Sequence, residues 1–236
     1  MMNNHQRKYQ TIFFDLDHTL WDYETNSRDT LFDLYGQYAL DKKGVLAFDA
    51  FHQQFRRVNN QLWDLYDRGL IDSDTIRKER FKQILEAFEA FEEGLCAELS
   101  ETYLVTCPLK GTLMPYALET LDYLAGKYSL TVVTNGFDEI QHTKLKTGKL
   151  LHYFDHIVTS QTAGHKKPSR EIFNFALQSN SIGPHQAIMV GDNLVTDIGG
   201  AKNAAIDAVY FNPEQNGHQE IVHYEISSLA ELRQFL

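Results

Sequence analysis

Apolar positions along this chain fall into two rhythms. Short unbroken runs rich in β-branched and aromatic residues recur at TIFF (11–14), LTVVT (130–134), HIVTS (156–160), AIMVG (187–191) and AVYFN (208–212). Continuous rather than alternating apolar character predicts strands covered on both faces, as in a parallel sheet. Between the runs the spacing turns helical. PYALETLDYLAGKY (115–128) puts Pro115 in a first turn and gathers Leu118, Leu121, Tyr123 and Leu124 on one side. SREIFNFALQSN (169–180) opens on a candidate N-cap, Ser169, and carries Ile172, Phe173, Ala176 and Leu177 at helical spacing. VTDIGGAKNAA (195–205) reads as a shorter helix entered from a loop. The C-terminal EQNGHQEIVHYEISSLAELRQFL reads as a loop, a short strand at IVHYEI and a closing helix.

Strand alternating with helix predicts an α/β fold, a doubly wound, Rossmann-like parallel sheet. Residues 23–108 break the alternation, since that stretch is helical in pattern nearly throughout. The expected organisation is an α/β core domain from residues 1–22 and 109–236, carrying an inserted helical domain at 23–108.

Hydrophobic residues make up 43% and charged residues 23% of the chain, which excludes a disordered polymer. The net charge of −10 argues against a nucleic-acid polymer as partner, because such binding needs a cationic face. It also means that an anionic substrate must find local positive charge, from a metal or from selected lysines. Cys96 and Cys107 match no metal-ligand spacing and read as reduced thiols. No run reaches the roughly 18 apolar residues of a membrane span. MMNNHQRKYQ lacks the apolar core of a signal peptide, so a cytoplasmic protein without membrane partners is expected.

The ends of the apolar runs carry the chemistry. TIFF leads directly into Asp15 and Asp17, although burying an unpaired carboxylate costs on the order of several kcal/mol. LTVVTNG ends at Thr134, Asn135 and Gly136; IMVGDNLVTD ends at Asp192, with Asp197 five residues on. AGHKKPSREIF supplies Lys166 and Lys167 ahead of a helix start. Ligands of an open parallel sheet bind beyond the carboxyl ends of its strands. Neighbouring strands would therefore bring a hydroxyl, a lysine and up to four carboxylates into one crevice. That many acids at close range require a cation, and all-oxygen ligands favour a hard ion such as Mg²⁺. An aspartate to attack, another to move a proton and a metal to neutralise charge compose a phosphoryl-transfer site. Each element alone has a plainer account: a solvated turn, an Asn-Gly turn, a surface lysine, or, for Asp197, a carboxylate at a helix N-terminus.

Together, DLDHT, TNG, the Lys-Pro at 167–168 and GDNLVTD resemble, in order, the four motifs of the haloacid dehalogenase-like (HAD) superfamily. The resemblance covers the core domain, and the helical insertion matches the position of that family's type-1 cap. It implies that Asp15 is the nucleophile that forms an aspartyl-phosphate. Asp17 would protonate the leaving oxygen and then activate water. Thr134 and the backbone N–H of Asn135 would hold phosphate oxygens, and Lys167 would neutralise phosphate and Asp15. Mg²⁺ would be held by the Asp15 side chain, the Asp17 carbonyl and Asp192, with Asp197 near the ion or acting through water. His18 departs from the glycine usual at its position. Asp17 argues against the 2-haloacid dehalogenases, which lack an acid there.

Within the superfamily, VNNQLWDLYDRGLI (58–71), RKERF (77–81), DLDHTLWD and TNGFDEIQ resemble the bacterial branch acting as pyrimidine 5′-nucleotidases. The implied substrate is a small phosphorylated metabolite, a nucleoside monophosphate. The alternatives are a phosphatase or phosphomutase on a small sugar phosphate, and a non-catalytic phospholigand-binding module. Asn59, Trp63 and Tyr66 share one helix face, which packs into a core more often than it meets a base; Arg80 and Phe81 carry the same ambiguity. His152 and His156 find no third ligand and read as surface or core residues. The cap is expected to close over the nucleophile by hinging near residues 21–23 and 109–113.

Overall fold

Residues 8–236 are described by the computed structural model; most of MMNNHQRKYQ, on which the absence of a signal peptide is argued, lies outside them. All five apolar runs form strands, with ends within a residue of those expected. They are β1 (Thr11–Phe14), β2 (Ser129–Thr134), β3 (His156–Thr159), β4 (Ala187–Gly191) and β5 (Asp207–Phe211). A sixth, β6 (Tyr224–Ile226), lies within IVHYEI. The sheet is parallel throughout, in the order β3-β2-β1-β4-β5-β6. Thr11 of β1 pairs with Ser129 on one side and Ala187 on the other, and Phe14 with Val132 and Val190. The order therefore reverses at β1 and β4, where doubly wound sheets open a crevice for ligands.

The chain separates into two compact units, one formed by Met1–Asp22 with Gly111–Leu236 and the other by Tyr23–Lys110. The second is helical: α1 (Tyr23–Gln37), α2 (Phe48–Asp67), α3 (Ser73–Glu86) and α4 (Glu93–Thr106). Phe51, Phe55 and Leu62 of α2, Ile76, Phe81 and Ile84 of α3, and Leu99 and Tyr103 of α4 are buried. Asp72 caps α3 by accepting the Thr75 N–H at 2.8 Å. A 3₁₀ turn at Cys107–Leu109 prolongs α4, and Lys110 pairs with Asp33 at 2.7 Å, so the unit runs two residues past 108.

In the sheet unit the main helices are α5 (Ala117–Ala125), α6 (Asp138–Thr147), α7 (Arg170–Ser179) and α8 (Gly200–Asn203). Side chains of successive strand residues leave on opposite faces. Phe13, Val133, Met189, Ala208 and Tyr210 form one buried layer with Ile172, Phe173, Ala176 and Leu177 of α7. Ser169 caps α7 as expected. Four details differ from the sequence reading. Helix α5 begins at Ala117, because Pro115 and Tyr116 form a turn with Tyr116 at φ 66°. Its buried face is Ala117, Thr120, Leu121 and Leu124; Leu118 and Tyr123 are exposed, while the Thr120 hydroxyl donates to the Leu229 carbonyl. Residues 195–205 fold as a π-helical turn, Leu194–Gly199, running into α8, and the closing helix is a 3₁₀ segment, Leu229–Gln234.

Candidate active site

The site grows from the carboxyl end of β1. All four β1 residues are buried, and the ladder extends one step further, the Asp15 N–H donating to the Val190 carbonyl at 2.9 Å. The chain then turns sharply, with Leu20 and Trp21 donating back to the Leu16 carbonyl at 2.9 Å. His18 takes φ 63° in that turn, a left-handed conformation that suits glycine best. A residue other than glycine at this position therefore carries backbone strain.

Asp15 meets Asp192 and Asp197 here: their carboxylate oxygens lie within 4.8 Å of one another. Asp192 extends from the end of β4 and accepts the Thr19 hydroxyl at 3.2 Å. Asp197 reaches back from the π-helical turn to accept the Asn193 N–H at 3.1 Å. Lys167 joins them, its ammonium 2.5 Å from Asp15 and 2.7 Å from Asp197, buried to 2% exposure. Three carboxylates against one ammonium leave an excess of negative charge. Burial first, then the neighbouring acids, push Asp15 up to about 7 against the pull of Lys167. Burial and Asp15 push Asp192 up to about 6, and burial raises Asp197 despite Lys167. Asp15 and Asp197 raise the Lys167 ammonium even though burial opposes its charge. All-oxygen donors with surplus negative charge fit a hard divalent cation such as Mg²⁺.

The Asp17 carboxylate belongs to a different group. Its Oδ1 accepts from Lys144 Nζ at 2.6 Å and its Oδ2 from Gln141 Nε2 at 3.0 Å. Burial alone would raise this acid, but the ammonium and amide bring it below its ordinary value. Both donors come from α6, which follows TNG directly, and both are buried. Neither Gln141 nor Lys144 is evident from strand-end motifs. The available signal is their spacing of three beside Leu145, which puts two polar groups on the inward face of a short helix.

Thr134 and Asn135 are buried at the end of β2. The Thr134 hydroxyl accepts the Gly136 N–H at 3.1 Å. The Asn135 side chain grips the Lys167 backbone from both sides, accepting its N–H at 2.8 Å and donating to its carbonyl at 3.0 Å. Asn135 therefore aims the lysine as well as offering the N–H expected of it. The glycines make room. A Cβ on Gly136 would fall 1.5 Å from Gln141 Nε2, and one on Gly191 2.3 Å from Asp197 Oδ2. His152 and His156 are not among the residues of the acid cluster.

The family model of haloacid dehalogenase-like hydrolases matches residues 9–205. The chain belongs to that family. This hydrolase is 31% identical to the pyrimidine 5′-nucleotidase YjjG of Escherichia coli (strain K12), over 97% of this chain and 98% of that one. It is 28% identical to the pyrimidine 5′-nucleotidase PynA of Streptococcus pneumoniae (strain ATCC BAA-255 / R6), over 95% and 93%. A magnesium-bound crystal form of the HAD-hydrolase YfnB of Bacillus subtilis superposes with a TM-score of 0.85 at 27% identity, covering 97% and 98% of the two chains. The HAD-like hydrolase thus shares nearly its whole length with these proteins. No helix among its described residues is long and apolar enough to cross a membrane.

In the helical unit, Asn59 and Tyr66 are buried and Trp63 is half-buried, packed edge-on to Tyr66. Arg80 is 3% exposed, with Asn59 Oδ1 accepting from it at 3.2 Å and the Tyr103 ring 4.5 Å from its guanidinium. Phe81 packs beside Phe55 and Tyr103.

Proposed function

We propose that this hydrolase is a Mg²⁺-dependent phosphomonoesterase working through an aspartyl-phosphate, with pyrimidine nucleoside 5′-monophosphates as substrates. The carrying observation is the cluster of Asp15, Asp192 and Asp197 at the switch point of the sheet, with Lys167 paired to Asp15 and Asp197. Similarity to YjjG and PynA over nearly the whole chain supports the nucleotide class.

In the first step an Asp15 oxygen bonds to phosphorus as the bond to the ester oxygen breaks, and Asp17 gives that leaving oxygen a proton. In the second, water bonds to phosphorus, its proton passes to the Asp17 carboxylate, and the Asp15–phosphorus bond breaks to release inorganic phosphate. Lys167 neutralises charge on Asp15 and the transferring group, while Thr134 and the Asn135 N–H orient phosphate oxygens. Asp15, Asp192, the Asp17 carbonyl and Asp197 would hold Mg²⁺, which supplies charge neutralisation at the phosphate when bound.

The test is phosphate release from a panel of nucleoside monophosphates, sugar phosphates and an aryl phosphate, with Mg²⁺ and with chelator. UMP, CMP and their deoxy forms are expected to lead in kcat/KM, and chelator to stop turnover. Silence across the whole panel would refute the phosphatase reading. An isomerised sugar phosphate formed without free phosphate would select a mutase instead.

A further inference from the structure

Two side chains outside the expected catalytic set are invested in one carboxylate. Lys144 and Gln141 bind both oxygens of Asp17, at 2.6 and 3.0 Å. Lys144 is itself held in place, its side chain 6% exposed and its ammonium 4.4 Å from the centre of the buried Trp21 ring. Gly136 leaves the gap through which Gln141 crosses to reach the acid. The other end of that amide is informative. Gln141 Oε1 is buried and has no hydrogen-bond partner among the described residues. Swapping the amide would put its oxygen against a carboxylate, so the bond to Asp17 fixes Oε1 as the free acceptor. A buried acceptor of this kind is destabilising until a donor reaches it.

On the phosphomonoesterase reading, the group that arrives beside Asp17 with two O–H donors is the attacking water. We propose that Lys144 and Gln141 are positioning residues for the hydrolytic half of the reaction. Lys144 fixes the Asp17 carboxylate as the acceptor of one water proton, and Gln141 Oε1 receives the other O–H. The oxygen lone pair is thereby turned toward the phosphorus of the aspartyl-phosphate. As the water oxygen bonds to phosphorus, its proton passes to Asp17 and the Asp15–phosphorus bond breaks. The pair acts after the leaving group has gone.

An aryl phosphate separates the two halves, because its leaving group departs without an acid. For this substrate kcat/KM reports phosphorylation of Asp15, and kcat becomes limited by hydrolysis once that step slows. Lys144→Met is expected to lower kcat about 100-fold, the loss that accompanies roughly 1 Å of misplacement. KM should fall in step and leave kcat/KM within about threefold, a variation far below that loss. A burst of the released phenol close to one per enzyme should appear, with phosphate trapped on protein. Lys144→Arg should restore most of kcat, and Gln141→Leu should give a smaller loss with the same split. In an Asp17→Asn background, Lys144→Met should add nothing, since the lysine acts through that acid.

Equal falls in kcat and kcat/KM, losses that multiply with those of Asp17→Asn, or unchanged kcat would each overturn the assignment. Should Lys144→Met fail to fold, the Gln141→Leu split and the rescue by Lys144→Arg decide alone. An inactive wild-type protein would instead refute the phosphatase reading, so the two failures are distinguishable.

Discussion

The two sides of the β1 terminus use the same residue type in opposite ways. On one side Asp15 shares a single ammonium, Lys167, with Asp197, and has Asp192 as a further neighbour. On the other, Asp17 has an ammonium and an amide to itself. Burial works against ionisation on both sides, yet Asp15 is raised to about 7 and Asp17 lowered. The difference lies in the local count of charges. Where acids outnumber cations, an arriving cation would complete the site, which suits the proposed nucleophile beside a metal. Where they balance, the acid is held for proton transfer. Two carboxylates whose environments push their pKa values apart are a general mark of divided catalytic roles.

Removing the proposed nucleophile should give the largest effect. Asp15→Asn is expected to lower kcat by about four orders of magnitude or more, measured as phosphate release from a nucleoside monophosphate. The same variant should melt higher than wild type in chelator at pH 8, because it deletes one of three crowded charges. Lys167→Gln should do the reverse to stability. It leaves three buried acids without their ammonium, at a cost of about 3–5 kcal/mol in metal-free denaturant titrations. Its kcat should fall about 100- to 1000-fold. A Lys167→Gln protein as stable as wild type would show that charge imbalance does not govern this side.

Next in size comes the response to pH. Asp15 is raised to about 7 and Asp192 to about 6 in the fold, against 3.8 for the ordinary carboxylate. Between these limits the native state binds more protons than the unfolded one, so stability falls as pH rises from about 4 toward 7. The metal-free protein should lose roughly 3–8 °C of melting temperature across that interval on account of these groups. Mg²⁺ should remove most of the loss, since on the proposed reading it binds the ionised acids of the native state. Asp17, lowered by its own partners, contributes with the opposite sign and lower on the scale: its stabilisation is present above its unfolded value and is lost on acidification. Scanning calorimetry from pH 4 to 8, with and without Mg²⁺, checks both signs; a metal-free melting temperature rising steadily through pH 7 would contradict the Asp15 side.

The strands and the acids at their ends are legible in the sequence because both obey local rules. A doubly covered parallel strand must be apolar throughout, so TIFF and AIMVG stand out, and the polar residues that stop them are conspicuous. Four motifs in order then point to Asp15, Thr134, Lys167 and Asp192, which the fold gathers at the ends of β1, β2 and β4 and beside them. Lys144 and Gln141 are illegible by the same logic. They occupy an inward helix face where an apolar residue is the default, and only the tertiary structure shows the acid that stabilises them there. The exposed Leu118 and buried Thr120 of α5 are the same lesson in reverse, since the Leu229 carbonyl decides which face turns inward. Arg80 in the helical unit also depends on its surroundings, the rings of Phe55, Phe81 and Tyr103 around its guanidinium.

The finest contrast rests on two glycines, one on each side. Neither Gly136 nor Gly191 is at positive φ, so space rather than backbone freedom is at stake. A Cβ on Gly191 would lie 2.3 Å from Asp197 Oδ2, 2.4 Å from its Cγ and 2.6 Å from its Cβ. The whole side chain is in the way, and it is tied to Lys167 and the Asn193 N–H. Gly191→Ala should therefore cost about 1–3 kcal/mol of stability, the usual range for overpacking, together with most of the activity. A Cβ on Gly136 meets only the outer part of Gln141, at 1.5 Å from Nε2, 2.5 Å from Cδ and 3.0 Å from Cγ. That side chain can swing aside, so Gly136→Ala should hold its stability to within about 1 kcal/mol. With Gln141 displaced from Asp17, it should reproduce the kinetic signature of Gln141→Leu on an aryl phosphate, a fall in kcat with kcat/KM kept. Paired denaturant melts and steady-state kinetics on the two alanine variants measure both effects. If Gly136→Ala lowered kcat/KM as far as kcat, the amide would be serving the phosphate side, and the division between the two sides of β1 would not hold.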